Sequence, residues 1–342
     1  MKVALVGTGT IAETHHLPVL FSIPDVDVVG VCDSNEKRLL RVTEKFKIKN
    51  RFTNLEEMLK STDADIIDIT TPGYTHYEIA MKSLLANRNV LIEKPATLKT
   101  IEAKELEGES KKCNLKLAVC QTYRYSEPAI RFKNIQQEGG IGNIDRIIGI
   151  QHGSTIFGMA PWFWNEDISG GILFELGIHT IDLQCYLMGD WKKVLNVDIY
   201  YDKSLKFITS ILATVKFKTG IGVVDLKWLS SSSFMHLYIS GSVSDAIMKF
   251  FPEGFILQHG DFAPISEFIG ELNRLWNFGY SSFRKRYYKK WELPHRTIIE
   301  NFINSVRTNH EPLVPIRSII PTIRLLEEIW TKARASRDLE IQ

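Results

Sequence analysis

Three polar residues interrupt an otherwise apolar stretch, GGILFELGIHTIDL, at residues 170–183. Glu175, His179 and Asp182 stand at i, i+4 and i+7, so on a helix they share one stripe. Two carboxyl groups and an imidazole are costly to bury unpaired, so either they satisfy one another or the stripe faces a polar cleft. An imidazole exchanges protons near neutral pH, which suits His179 to take a proton from a substrate hydroxyl. Glu175, one turn earlier, can orient that ring or bind a neighbouring hydroxyl. Asp182 can hold the ring from behind or close the helix against a sheet.

A second constellation lies near the start. Gly7, Gly9 and Ala12 of GTGTIAETHHLPVL fit G-x-G-x-x-[GA] directly after the β-branched run KVALV. The first glycine permits a tight turn, the second lets backbone approach a pyrophosphate, and the small third residue allows close helix–strand packing. The loop Gly7, Thr8, Gly9, Thr10 and Ile11 opens a helix whose free N–H groups point at that phosphate. An acid, Asp33, follows about 25 residues on at a strand end. A carboxylate there accepts from a ribose hydroxyl and repels a 2′-phosphate, favouring NAD, while Lys37 and Arg38 one turn on leave NADP possible.

These groups need a scaffold. The runs VDVVGVCD, ADIIDITTP, NVLIEKP and LKLAVCQTY lack polar alternation and are separated by helical segments, which predicts a parallel sheet covered on both faces. Residues 1–122 therefore read as an N-terminal Rossmann dinucleotide-binding domain of α/β type. From Tyr123 the pattern changes to a helix and then to DRIIGIQHG, KVLNVDIYYD, KFITSILATVKFKTG, IGVVDLKWLS and FMHLYISGS. Short turns between such runs predict an antiparallel meander, making 123–342 a C-terminal α+β domain with an open, mainly antiparallel sheet.

A chain of 342 residues accommodates two such domains. Its formal net charge of +2 gives no general pull toward nucleic acid or anionic membrane, and no apolar run approaches a membrane span. A strand starting beside Met1 leaves no room for a signal peptide, so a cytoplasmic location is expected. Cys32, Cys113, Cys120 and Cys185 form no CxxC pair, and His15 and His16 are adjacent and cannot share a helical face, so no metal is expected. Trp162 and Trp164 precede the His179 helix and either stack on a sugar ring or pack beneath their loop. Residues 281–291, SSFRKRYYKKW, interleave cations with aromatics and read as a solvated insert, a diphosphate clamp, a membrane-surface or nucleic-acid patch, or an oligomer contact.

The glycine loop, Asp33, TTPGYTHYEIA, VLIEKPATLKTIEA and GGILFELGIHTIDL come in the order and spacing that resembles the Gfo/Idh/MocA oxidoreductases, across essentially the whole chain. The resemblance implies that Glu93, Lys94 and Pro95 form the signature tripeptide, with Lys94 near the nicotinamide and the reacting hydroxyl and the bond before Pro95 often cis. It implies that Thr70, Thr71, Pro72 and His76 pass the cofactor diphosphate and ribose, that Gln121 lies near the nicotinamide, and that His179 is catalytic. Glu175 stands where most members have aspartate, so its reach differs by one methylene. Tyr123 and Arg124 are placed to border substrate, Arg124 alternatively pairing with an acid. The resemblance further implies a homodimer or homotetramer through the C-terminal sheet. The activity implied is hydride transfer between a nicotinamide and a secondary hydroxyl of a sugar, sugar nucleotide or cyclitol. An NAD-using glycosidase and a non-catalytic dinucleotide sensor are the alternatives.

Overall fold

The structure, a computed structural model, describes residues 1–154, 160–258 and 287–341. Most of the basic–aromatic stretch 281–291 lies outside the described residues. The chain divides into two compact units: 1–122 with 291–323, and 123–290 with 324–342. The segment 291–323 thus returns to the first unit, a connection that no local pattern signals.

Unit 1 is built on six strands, β1 (Lys2–Val6), β2 (Asp27–Cys32), β3 (Arg51–Phe52), β4 (Ile66–Ile69), β5 (Asn89–Ile92) and β6 (Leu117–Val119). They are ordered β3-β2-β1-β4-β5-β6 and all parallel. β4 is buried at every position and β1, β2 and β5 are buried toward their C-terminal ends, which is why they read as continuous apolar runs. Strand order reverses between β1 and β4, the place where such sheets bind ligands beyond their C-terminal ends. Around the sheet run α1 (Leu17–Leu20), α2 (Glu36–Phe46), α3 (Leu55–Ser61), α4 (His76–Leu85) and α5 (Thr100–Lys112). Asn35 and Asn54 cap α2 and α3 by accepting from Arg38 N–H and Glu57 N–H. A single π-helical turn, Ala12–His16, precedes α1.

Unit 2 carries α6 (Glu127–Gln137), β7 (Ile144–His152), α7 (Glu166–Ser169), α8 (Ile178–Met188), β8 (Trp191–Asp202), β9 (Phe207–Phe217), β10 (Ile221–Lys227), β11 (Phe234–Gly241), β12 (Asp245–Phe250) and β13 (Glu253–Gln258). The helices α9 (Tyr287–Thr308) and α10 (Ile320–Ile341) complete the chain. The seven-stranded sheet is ordered β13-β12-β11-β7-β10-β9-β8 and is mainly antiparallel. It departs from a simple meander because β7 inserts between β10 and β11 and pairs parallel with β10. Turn signals report which strands are consecutive but not which earlier strand slips between them. The sequence reading also missed β12 and β13, which extend the sheet past FMHLYISGS.

Helix α8 sits on the sheet through three glycines. A Cβ on Gly149 would collide with Thr180, one on Gly222 with Gln184, and one on Gly177 with Leu226. Their absence lets the helix approach closely enough for Thr180 to donate to Gln151 at 2.9 Å and Gln184 to the Val223 carbonyl at 2.9 Å. Close backbone approach is the reason for glycine at strand positions 149 and 222.

Candidate active site

In unit 1 the glycine loop leaves β1 with Gly7 at φ +97°, and a Cβ there would lie 2.8 Å from the Thr70 carbonyl group. Thr70 Oγ1 donates to the Gly7 carbonyl at 2.6 Å, binding the ends of β1 and β4 together at the reversal point. A Cβ on Gly9, by contrast, would meet nothing within 4 Å. That open cradle, ahead of the helical turn that begins at the loop's end, fits a pyrophosphate against bare backbone. Asp33 accepts at one oxygen from the Thr8 amide (2.7 Å) and hydroxyl (2.8 Å), and at the other from the Asn35 amide (2.8 Å) and Arg38 (3.1 Å). Burial alone would raise its carboxyl, but those amide, hydroxyl and guanidinium donors outweigh it and hold the pKa below the ordinary value. Asp33 is therefore an anion at physiological pH, and it anchors the loop through Thr8.

Thr70, Thr71 and Pro72 follow β4, and His76 opens α4. The His76 ring nitrogens lie 2.7 Å from the carbonyls of Thr71 and Pro95, so this fully buried residue braces the 70–72 segment against the 93–95 turn. Lys94–Pro95 is cis, as the resemblance implies. Lys94 is partly exposed, whereas Glu93 turns inward and Gln121 is 2% exposed just past β6. Glu93 Oε2 accepts from the Lys94 amide at 3.0 Å, and Glu93 Oε1 lies 3.0 Å from His16 Nε2. His16 Nδ1 lies 2.8 Å from Asp68.

Burial would depress the His16 ring, but the Asp68 charge and hydrogen bond, with further bonds to Cys120 and Glu93, raise its pKa well above the usual value. Burial would likewise raise Glu93, yet His16 and His295 hold it well below the carboxylate norm. His295 Nε2 is 3.6 Å from Glu93 Oε1, and its ring lies tilted against that of His15, 4.4 Å between centroids. Burial and the neighbouring His295 and His16 depress His15 to about 4. Donor atoms of His16, Glu93 and Cys120 lie within 4.8 Å of one another, a convergence of three distant segments that spacing does not reveal. Burial, with the nearby Glu93 charge, pushes the Cys120 thiol up to about 12.

In unit 2 the stripe of Glu175, His179 and Asp182 is realised with one modification. Leu173–Gly177 forms a π-helical turn that leads directly into α8, so Glu175 lies on the wider turn and His179 on the α-helix. Inserted turns of this kind are rare and concentrate at functional sites. Asp182 pairs with Arg124. Both its oxygens accept from Arg124, at 2.7 Å from Nε and 2.6 Å from NH2, and both side chains are nearly fully buried. The alternative of an acid partner for Arg124 is thus the geometry observed, and its guanidinium also lies over Tyr186. Tyr123 places its ring 4.4 Å from that of His179 and edge-on to Phe250. That tilted ring partner for His179 came from no motif. Trp162 and Trp164 pack around Phe163 and Phe207, with Leu205 and Trp228.

Comparison with known proteins follows the same division. A profile of an oxidoreductase family with an NAD-binding Rossmann fold matches residues 1–120, and one of the GFO/IDH/MocA C-terminal domain matches 130–243. D-glucoside 3-dehydrogenase of Escherichia coli K12 is 26% identical over 192 residues, 55% of this chain and 54% of that protein. Inositol 2-dehydrogenase of Salmonella paratyphi B is 24% identical over 230 residues, 66% of each chain. The chain thus spans between about half and two thirds of the length of these curated relatives. The crystal structure of the WlbA dehydrogenase from Bordetella pertussis in complex with NADH and UDP-GlcNAcA has the same fold, with a TM-score of 0.84 at 20% identity. That similarity covers 98% of this chain and 96% of the other. With both halves matched in order and the strand order, glycine loop, EKP turn and His179 helix in place, this chain belongs to the Gfo/Idh/MocA oxidoreductase family.

Proposed function

We propose that the protein is an NAD(P)-dependent dehydrogenase acting on a secondary hydroxyl of a sugar, sugar nucleotide or cyclitol. The observation that carries this reading is the joint presence of a built dinucleotide cradle and two proton-handling groups. The cradle is open Gly9 with anionic Asp33, and the two groups are Lys94 and His179. A sensor that only bound the cofactor would need neither of the latter.

Gly7, Thr8, Gly9, Thr10, Ile11 and Asp33, with Thr70, Thr71 and Pro72, would hold the nicotinamide cofactor, and Gln121 would border its ring. NAD is favoured because Asp33 is charged, and Arg38 beside it tempers that preference. The cofactor, when bound, accepts or gives the hydride. His179 takes the hydroxyl proton, Lys94 stabilises negative charge on the reacting oxygen, and Glu175 binds a neighbouring hydroxyl or orients His179. The dehydrogenase names of the two curated relatives and the NADH and nucleotide sugar in the WlbA crystal structure support the substrate class.

The protein also offers a route to self-association. On unit 2, Tyr238, Leu212 and Tyr200 are 39%, 45% and 64% exposed on β11, β9 and β8. Such apolar surface suits a homo-oligomer through this sheet. Sedimentation of the purified protein as a monomer at micromolar concentration would remove that part of the reading.

The activity is tested by adding NAD or NADP and a panel of free sugars, inositols and nucleotide sugars, and following reduced-nicotinamide absorbance. Turnover with any panel member is the expected outcome. Lys94→Ala and His179→Ala should each lower turnover by roughly 10²- to 10⁴-fold with NAD affinity within a few-fold of the parent. Silence across the panel, with NAD recovered from the denatured protein, would favour the glycosidase, whose redox cycle is closed, or the sensor.

A further inference from the structure

Behind the Glu93–Pro95 turn, wholly within unit 1, lies a buried charge relay that the proposed chemistry does not itself use. It begins at Asp68 on β4, passes through His16 at the end of the π-helical turn, and ends on Glu93. His16 is 0% exposed, Asp68 1% and Glu93 6%. We propose that His16 is a positioning residue for Lys94, acting through Glu93. This rests on the reading of Lys94 as a group that meets the reacting oxygen.

Geometry and the surrounding charges agree on the protonation of the ring. His16 Nδ1 faces an Asp68 oxygen at 2.8 Å and Nε2 faces a Glu93 oxygen at 3.0 Å. Carboxylates only accept, so both ring nitrogens donate and His16 is an imidazolium. Cys120 and Glu93 both approach the ring, and with Asp68 they complete a buried hydrogen-bonded cluster around it. The imidazolium then balances one of two buried carboxylates outright and shares the other. Charge-assisted bonds of this kind are short and strong, and their directions are set by the rigid ring.

The consequence reaches Lys94 through the backbone. Glu93 Oε1 is held by His16, while Oε2 of the same carboxylate accepts from the Lys94 amide at 3.0 Å. The next residue is held independently, since His76 binds the Pro95 carbonyl at 2.7 Å and the Pro95 ring fills the space a Cβ on Gly73 would need. The backbone on both sides of Lys94 is therefore pinned, and its side chain starts from a fixed Cα. A second imidazole, His295 from the returning segment, lies 3.6 Å from Glu93 Oε1 and reinforces the same carboxylate. Preorganisation of a reacting group by packed neighbours is worth most where small displacements cost rate.

The test compares wild type with His16→Gln, with His16→Gln/Asp68→Asn, and with Glu93→Gln. The double variant removes Asp68, one of the two carboxylates whose partner the single one takes away. Glu93→Gln keeps the side chain's shape while removing its charge, so a folded protein remains available if the first variant fails to fold. Folding is verified by circular dichroism and NAD affinity by tryptophan quenching. The readout is the rate of Lys94 modification by trinitrobenzenesulfonate, quantified by mass spectrometry against exposed Lys60 and Lys104. A folded variant should bind NAD within about three-fold of wild type and alter Lys94 labelling by at least about three-fold, with Lys60 and Lys104 unchanged. With a substrate in hand, kcat should fall roughly ten- to a hundred-fold while KM moves little. Unchanged Lys94 labelling in a folded variant overturns the positioning role whatever turnover does. Altered labelling in a protein whose turnover survives Lys94→Ala instead keeps the clamp and removes Lys94 from the chemistry.

Discussion

Asp33 carries two tasks in one carboxylate. It ties the glycine loop through Thr8 and, in the proposed function, sets the charge at the ribose position, with Arg38 3.1 Å away. Removing the anion leaves Arg38 to meet a 2′-phosphate. Asp33→Ser should weaken NAD binding and move the NAD-to-NADP preference toward NADP by about ten-fold or more, read from the two dissociation constants by fluorescence. An unchanged ratio would mean that Asp33 serves the loop alone. This residue was legible in the sequence because its signal is local: a strand, a glycine turn and an acid at a set distance. Glu93 was legible only as part of a tripeptide. That it turns inward to His16 depends on β4, β5 and the π-helical turn meeting in space, and no spacing along the chain records that.

At the scale of elements, the His179 helix owes its place to glycines beneath it and to Arg124 behind it. The Arg124–Asp182 pair is 4% and 2% exposed in its side chains. Breaking such a pair on one side strands a buried charge, and Arg124→Met should cost about 3–5 kcal/mol in urea unfolding. Arg124→Met/Asp182→Leu should recover most of that loss. If the double variant is no more stable than the single one, the pair is not what anchors the helix. Gly149→Ala, by pressing on Thr180, should cost about 1–3 kcal/mol and lower turnover through His179 without altering NAD affinity. The stripe itself was readable because helical periodicity is a property of neighbours. The π-helical turn at Leu173–Gly177 was not, since one residue of extra winding leaves no mark on composition. Apart from the two-residue β3, strand identity was readable up to β11, but the insertion of β7 beside β10 was decided by long-range pairing.

For the whole molecule, three titrating groups of unit 1 bear on stability in different directions. Glu93 is depressed on folding, so it supports the fold above its unfolded value of about 4.5 and loses that support as pH falls further. His16 is raised, so its contribution is complete below an unfolded value of about 6.5 and fades as pH climbs toward its elevated folded value. His15, depressed to about 4, opposes the fold as pH drops from about 6.5 toward that value. The three combine to a maximum near pH 6.5, measurable as melting temperature by circular dichroism across a pH series. His16→Gln should flatten the alkaline limb, and an alkaline limb as steep as the parent's would place the titration elsewhere.

The return of residues 291–323 to unit 1 has a consequence for how the protein is made. The backbone of Val119 on β6 donates to the carbonyl of Val314, and Ala118 bridges Pro315. The last strand of the dinucleotide sheet therefore keeps an open edge throughout synthesis of the intervening sheet, until residue 315 leaves the ribosome. Folding of the first unit cannot finish before residues 123–290 of the second have been translated, so β6 keeps an unpaired edge for most of elongation. The dinucleotide half is for the same reason not a module that inheritance could exchange as one contiguous block: its two pieces must travel together.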